Sequence, residues 1–270
     1  MKKIFFVLLI GVLVVPFLFT TTSCTPNNNP MPIHDTIYIR DTLHTHDTVE
    51  CTNCFGAVGC YLFNGNANDT SGNGNHGTVI GATLTTGHKG NANSAYYFNQ
   101  SADTRIELPN LGVFDNTGEL SVSVWTNTSS TSSGGNTIIN TTPDEVTGRF
   151  MLTINWTGNP VNTSIFDYGN ISTGRLVSPA ATIVYNTWEH YVFVKSTVGN
   201  FMKIYRNGVE IATKTGGASI SNKNKIVVLG GSPANSIHTN QLFKGSLDDL
   251  KIFNKALSAT EVLTIYNTEK

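Results

Sequence analysis

The sequence predicts an all-β protein: a two-sheet antiparallel sandwich closed by one short C-terminal helix. Three observations predict it. Short apolar and β-branched runs recur at 96–98, 105–108, 120–126, 150–154, 164–168, 190–195, 201–206, 209–213, 226–229 and 247–253, each the length of a strand. The composition is turn-rich, with 25 Gly and roughly 30 Asn, and only 13% of residues are charged, which suits strands and tight connections better than helices. A single stretch near the C-terminus carries helix start signals. Ten strands exceed what one open sheet holds comfortably, so two packed sheets follow.

From the N-terminus, Lys2 and Lys3 precede an apolar run from Ile4 to Phe19 that ends at Thr20, Thr21, Thr22, Ser23 and Cys24. A basic start, an apolar stretch and a small-residue cleavage zone have the form of a secretory signal over residues 1–23. The run falls short of the ~20 residues a membrane span needs, and Pro16 interrupts it. Thr22-Ser23-Cys24 resembles a bacterial lipobox, although Thr21 stands where Leu is usual. Lipidation of Cys24 is therefore expected, with the chain held by a lipid anchor in the cell envelope outside the cytoplasm, at the outer membrane. An ordinary secreted protein with an incidental Cys24 is the alternative.

Residues 24–54 read as an extended tether. The stretch is Asn- and Pro-rich at first, then repeats Asp-Thr at Asp35, Asp41 and Asp47, too short a unit to bury a core of its own. Cys51, Cys54 and Cys60 lie at its junction with the domain spanning 55–270. In an exported chain they are disulfide candidates. Three thiols leave one over, and the pairing stays open. A Cys51–Cys60 bridge would close about ten residues and contribute roughly 2.5–3 kcal/mol, and a zinc site is the weaker alternative, as no fourth ligand stands nearby.

Within the domain, Asn207-Gly208 separates two strand runs, and both residues tolerate the positive φ of a type I′ hairpin turn. Ser258 and Glu261 form a capping box ahead of the apolar face Val262, Leu263, Ile265 and Tyr266. The formal net charge is −1, from 17 basic and 18 acidic side chains. Nucleic-acid binding is excluded as a function class, since no cationic surplus exists to displace counterions from phosphate.

Three segments together resemble the laminin-G-like jelly-roll family of the concanavalin-A-like lectin and glucanase superfamily. They are Tyr61-Leu-Phe-Asn64-Gly-Asn-Ala-Asn-Asp69-Thr-Ser-Gly-Asn73-Gly-Asn-His76-Gly77, then Trp188-Glu-His-Tyr-Val-Phe-Val194 with Ile204-Tyr-Arg-Asn-Gly-Val-Glu210, then Phe243-Lys-Gly-Ser-Leu-Asp248-Asp249-Leu-Lys-Ile-Phe-Asn-Lys-Ala-Leu-Ser258-Ala-Thr-Glu261. The resemblance implies a jelly-roll sandwich in which the Asn- and Gly-rich loop near the front meets the acidic pair near the back. Asn and Asp oxygens with close glycines suit Ca²⁺. A structural Ca²⁺ held by Asn64, Asp69, Asn73, Asp248 and Asp249 is accordingly expected, with one of the two adjacent acids pointing away from it. The alternative is a loop that caps itself by Asx hydrogen bonds.

Trp125 and Trp188 sit in strand patterns and are expected in the core. Trp156, at a strand end before Thr157-Gly-Asn-Pro160, is a candidate ligand-binding residue with Tyr168, the two stacking on a sugar. His76, His88, His190 and His238 are scattered and read as structural or solvated. Catalysis is not expected: glycoside hydrolysis needs two flanking carboxylates, the Glu-x-Asp-x-x-Glu pattern of the glucanase branch is absent, and so are a nucleophile elbow and a His-Glu-x-x-His motif. The expected function is a non-catalytic binding module for a glycan or a protein ligand, presenting loops 127–136 and 155–162. A structural or adhesive domain with an envelope-protein partner is the alternative, and a relative of glycoside hydrolases a more distant one.

Overall fold

The computed structural model describes residues 54–113, 118–129, 134–141, 149–181, 184–216, 226–231 and 241–270. The expected signal sequence, Cys24, Cys51, His238 and the expected tether up to residue 53 lie outside the described residues. Two antiparallel sheets carry the described chain. One runs β13 (Val209–Thr215), β12 (Phe201–Arg206), β11 (Trp188–Ser196), β6 (Glu119–Thr128), β15 (Lys244–Phe253), β4 (Ala95–Asn99) and β3 (Thr83–Thr85), with β1 (Gly59–Tyr61) also paired to β15. The other runs β10 (Arg175–Val177), β9 (Thr163–Gly169), β8 (Arg149–Trp156), β7 (Asn136–Thr141), β14 (Val227–Leu229), β5 (Arg105–Leu108) and β2 (Thr78–Ile80).

Period-two alternation makes the sandwich. On β6, Leu120, Val122 and Val124 enter the core between the sheets, where they join Phe98, Phe150, Phe166, Phe193 and Leu250. Each such side chain contributes about 1.5–3 kcal/mol by leaving water. The other face of the first sheet has a second core. Val192, Val194, Tyr205 and Phe253 are roofed there by Leu257, Val262 and Ile265 of and around α2 (Ala259–Glu269). The capping box forms as expected, with the Ser258 hydroxyl accepting from the Glu261 N–H and the Glu261 carboxylate accepting from the Ser258 N–H. Asn207 and Gly208 both have positive φ, 51° and 78°, at the β12–β13 turn. A one-turn helix, α1 (Ile171–Gly174), is added between β9 and β10.

All ten expected strands are present. Five more among the described residues, β1, β2, β3, β7 and β10, carry no clear sequence signal. β7 is the instructive one: Asn136-Thr-Ile-Ile-Asn-Thr is buried throughout, yet its two adjacent isoleucines break the alternation that marks a strand.

Strand direction fixes the two ends of the sandwich. β6 leaves the sheet at Thr128, next to the start of β15 at Gly245 and of β11 at Trp188, whose partner is Asn127. Cys54 lies at the opposite end: β1 begins at Gly59 opposite Ile252, near the end of β15, and the Val58 N–H bonds to the Ile252 carbonyl. The described chain therefore begins at the end remote from Thr128.

Candidate functional site

At the Thr128 end, several connections crowd around one backbone position. Asn155 Nδ2 donates to Thr128 Oγ1 at 3.4 Å, and the Asn186 N–H donates to the Thr128 carbonyl at 2.8 Å. The Ala181 N–H bonds to the Asn162 carbonyl at 3.0 Å. A bulge in the β8–β9 hairpin between Thr153 and Trp156 turns Trp156 onto this rim. Trp156 is half-buried, and Tyr185 and Val161 are exposed. Asn155, Asn162 and Asn186 all adopt left-handed φ, 52°, 57° and 55°, a conformation Asn tolerates better than most residues. Two partly accessible aromatic side chains are thus held among amides, a mixture able to present an apolar face and hydrogen-bonding groups to a ligand.

Of the two expected stacking residues, only Trp156 belongs to this rim. Tyr168 is fully buried and pairs across β8–β9 with Phe150, while Trp156 pairs with Thr163 at the other end of the same hairpin. Burial pushes the Tyr168 phenol up to about 12. The two cannot share a ligand, because the strand register separates them and the sandwich interior holds Tyr168. Tyr185 escaped notice in the sequence since it sits outside any strand pattern.

The Asn- and Gly-rich loop reaches the closing strand by way of β1, whose Cys60 pairs with Lys251. Its carboxylate is spent on the loop itself. Asp69 Oδ1 accepts from the backbone N–H of Cys60 and Ser71, each at 2.9 Å, and Oδ2 accepts from the Ser71 hydroxyl at 2.9 Å and the Asn75 N–H at 3.0 Å. Burial alone would raise its pKa, but these donors hold it below the usual carboxylate range. Asn64 and Asn73 are exposed, and Asn73 Nδ2 turns to the Val58 carbonyl. Among the described residues no group of three or more His, Cys, Asp or Glu converges as a metal site. The Asp69 carboxylate thus turns its lone pairs to N–H and O–H donors of the chain itself.

The acidic pair meets a different loop. β4 pairs with β15 up to Leu247 and β1 from Leu250 onward. Between them the strand bulges, with Asp249 at φ 44°. The extra residue keeps Leu247 and Leu250 in the core and turns both acids to the outer face, correcting the expectation that they diverge. The loop at Gly87 fills the gap. Asp248 Oδ2 accepts from the His88 backbone N–H at 3.0 Å and meets His88 Nδ1 at 2.7 Å. Gly87 allows the approach, since a Cβ there would lie 2.5 Å from Asp248 Oδ2. His88 Nε2 caps α2 by donating to the Glu269 carbonyl at 2.9 Å, and its ring stacks on Trp125 at 4.4 Å.

Further charges complete the cluster. Lys251 Nζ is 2.6 Å from Glu269 Oε1 and 4.0 Å from Asp249. Trp125 Nε1 donates to Glu269 Oε2 at 2.8 Å, and His190 Nε2 meets the Ser123 hydroxyl at 2.7 Å. Burial, reinforced by the Lys251 and His88 charges, pushes His190 down to about 3, so it is neutral. Burial also raises Asp248 and Glu269 despite their partners. Trp125 is buried as expected, but beneath α2 and not between the sheets. Its neighbours make a fastening of helix to sheet, closed to solvent, which offers a substrate no entry.

At the tether junction the disulfide joins Cys54 to Cys60, with Cα atoms 5.8 Å apart. It pairs the first described residue to β1 and replaces the longer Cys51–Cys60 loop considered from sequence.

A family model described as the concanavalin A-like lectin/glucanases superfamily, of laminin G type, matches residues 100–263, well over half of the chain. The protein belongs to this family. Solved structures similar to this concanavalin A-like domain include domain 4 of AbnA, a GH43 extracellular arabinanase from Geobacillus stearothermophilus, in complex with arabinotriose. It is 23% identical with a TM-score of 0.61 over 78% of this chain and 98% of that one. The binding domain of botulinum neurotoxin serotype D/C VPI 5993 is 18% identical, TM-score 0.61, over 80% of this chain and 53% of its own. The binding domain of Paraclostridial Mosquitocidal Protein 1 is 16% identical, TM-score 0.55, over 74% and 49%. The chain thus spans about half the length of the two toxin binding domains. At these identities the likeness is one of fold. No curated protein matches the chain.

Proposed function

We propose that the concanavalin A-like domain is a non-catalytic carbohydrate-binding module, presented from the cell envelope on a lipid anchor at Cys24. The observation that carries the reading is the rim at Thr128, where half-buried Trp156 and exposed Tyr185 stand on adjoining loops among Asn side chains. Flat aromatic faces on a pre-formed scaffold supply binding area at little entropic cost, and amides pair with hydroxyls as donor and acceptor. Cys54, the first described residue and the last of the proposed tether, lies at the opposite end of the sandwich from this rim, which leaves the rim clear of the attachment point. The arabinotriose bound to the arabinanase domain supports a sugar ligand for the shared fold.

The test is affinity electrophoresis of the full chain, solubilised in mild detergent, through gels containing arabinan, xylan, β-glucan or pectin. Retardation in at least one gel is expected, with Trp156→Ala abolishing it while the far-UV circular dichroism stays unchanged. Free migration in every gel, with a stoichiometric complex formed instead with an envelope protein, would overturn the reading in favour of an adhesive domain.

A further inference from the structure

An open sheet edge invites another strand unless charge, proline or cover blunts it, and the two sides of this sandwich treat their edges differently. On one side lie β13 and β10. These strands carry Glu210, Lys214 and Arg175, and the side is tied shut: Lys214 Nζ donates to the Thr173 and Arg175 carbonyls at 2.6 and 3.2 Å. On the other side lie β2 and β3. Residues 77–87, Gly-Thr-Val-Ile-Gly-Ala-Thr-Leu-Thr-Thr-Gly, hold no Asp, Glu, Lys, Arg or Pro.

The chain crosses from the edge of one sheet to the edge of the other at Gly81, φ 65°, where a Cβ would lie 2.1 Å from the Asp103 carbonyl oxygen. Val79 pairs with Ile106 and Leu84 with Tyr96, both partners being core residues. Paired residues share a face, so Val79 and Leu84 carry the core out to this side, where they are 37% and 36% exposed. The nearest charges on β5, Arg105 and Glu107, pair with each other at 2.7 Å, and exposed Asp103 stands at the Gly81 turn.

Backbone direction makes Leu84 the point of attachment. The Thr85 carbonyl accepts from the Ser94 N–H at 3.0 Å, so the peptide groups of Thr85 turn towards β4. Successive residues turn theirs to alternate sides of a strand, which aims the N–H and C=O of Leu84 away from the sheet. Thr83-Leu84-Thr85 also reads the same in both directions. Set antiparallel about Leu84, two copies exchange both Leu84 N–H···O=C bonds and place Thr83 of each opposite Thr85 of the other, a favourable cross-strand pair. A charge beside a two-fold axis meets its own copy, and β3 brings none there.

We propose that the β2–β3 side is the interface of a two-fold dimer, in which the β3 strands of two copies pair antiparallel about Leu84 and join their first sheets edge to edge. A contact made by one short strand belongs to the small, weak class of interfaces, with a Kd on the order of 10 μM.

Sedimentation velocity of the full chain in density-matched detergent tests it, at about 1 and about 100 μM. The expected result is monomer at the lower concentration and mostly dimer at the higher. Leu84→Lys, which sets two ammonium groups against each other, should weaken the dimer at least tenfold. Val209→Lys, at a 64% exposed position on the opposite edge strand, should leave it within twofold. Leu84→Cys serves where Leu84→Lys does not fold: directly opposed residues have a Cα spacing that a disulfide spans. In a Cys51→Ser background it should give a linked dimer on mild oxidation, while Val209→Cys stays single. A parent that stays monomeric at the higher concentration, a dimer that survives Leu84→Lys, or a Leu84→Cys chain that does not link each overturns the proposal. A monomer whose Leu84 amide is nonetheless protected from hydrogen exchange overturns it in favour of the chain's own N-terminal segment on that edge.

Discussion

Two parts of the sandwich hold polar side chains in opposite ways. Under α2, His88, Asp248, Asp249, Lys251 and Glu269 are buried and tied to one another at 2.6–4.0 Å. At the Thr128 rim, the described loops hold Trp156, Tyr185, Asn159, Asn162 and Asn186 at least partly open to water. Low dielectric makes the first group strong only while complete, because each ion is stranded if its partner goes. The second group spends little on its own structure and stays available to a ligand. In a chain with few charges, their concentration beneath one helix is informative: there ionic groups secure the fold, while the proposed ligand surface is built of aromatic rings and amides.

The contrast is broken most directly at Lys251. Replacing it with Met removes the one ammonium between Glu269 and Asp249 and strands both carboxylates in a buried site. A loss of about 3–5 kcal/mol is expected in urea-induced unfolding, with glycan binding unchanged wherever the variant is folded. A loss below about 1 kcal/mol would show that solvent reaches the cluster, and the two regions would no longer differ in kind.

A smaller effect is expected at His190. Its folded value of about 3 lies below the ~6.5 of an unfolded histidine. Between those values the unfolded chain binds a proton that the native chain refuses, so stability falls as pH falls. Over pH 7 to 5 the loss is roughly 2 kcal/mol. Lys251, His88 and Glu269 face the same ring, and burial raises Glu269, which gives the opposite sign: the native state then takes up the proton more readily and is relatively favoured in acid. His190→Gln removes the first contribution and leaves the second. Unfolding curves at pH 7, 6 and 5 should therefore show a flatter dependence in the variant than in the parent.

How far these regions were legible in the sequence follows from the range of the interactions that build them. The β12–β13 turn is set by Asn207-Gly208 and the start of α2 by Ser258 and Glu261, all local, and both were foreseen. The core strands with clean alternation were foreseen for the same reason. The bulge at Asp249 was not, because it comes from two short strands, β4 and β1, sharing one edge of β15. Nor was the pairing of Asp248 with His88, 160 residues apart, which made His88 look scattered. Asp69 was recognised as special, but whether its loop turns oxygens outward to an ion or inward to its own N–H groups is a matter of backbone φ at neighbouring positions. Trp156 at a strand end was read from the chain. Tyr168 shares that hairpin but lies buried at its other end, which the sequence hides, since alternation gives the face of a strand and not which end of a hairpin comes near which loop.

The smallest expected effect sharpens the comparison from the other side. Tyr185 is 39% exposed, and its neighbour Asn186 reaches the sheet through a backbone N–H that side-chain truncation leaves alone. Tyr185→Ala should accordingly shift stability by no more than about 0.5 kcal/mol, the range of ordinary surface changes. Equal denaturant midpoints for parent and variant, beside a loss of retardation in the affinity gels, would separate recognition from support at a single residue. A loss above about 1 kcal/mol would mean that the ring packs the 184–187 connection onto Thr128. The rim would then be held by its aromatics much as the outer face is held by its ions, and Trp156 alone would remain to meet a sugar.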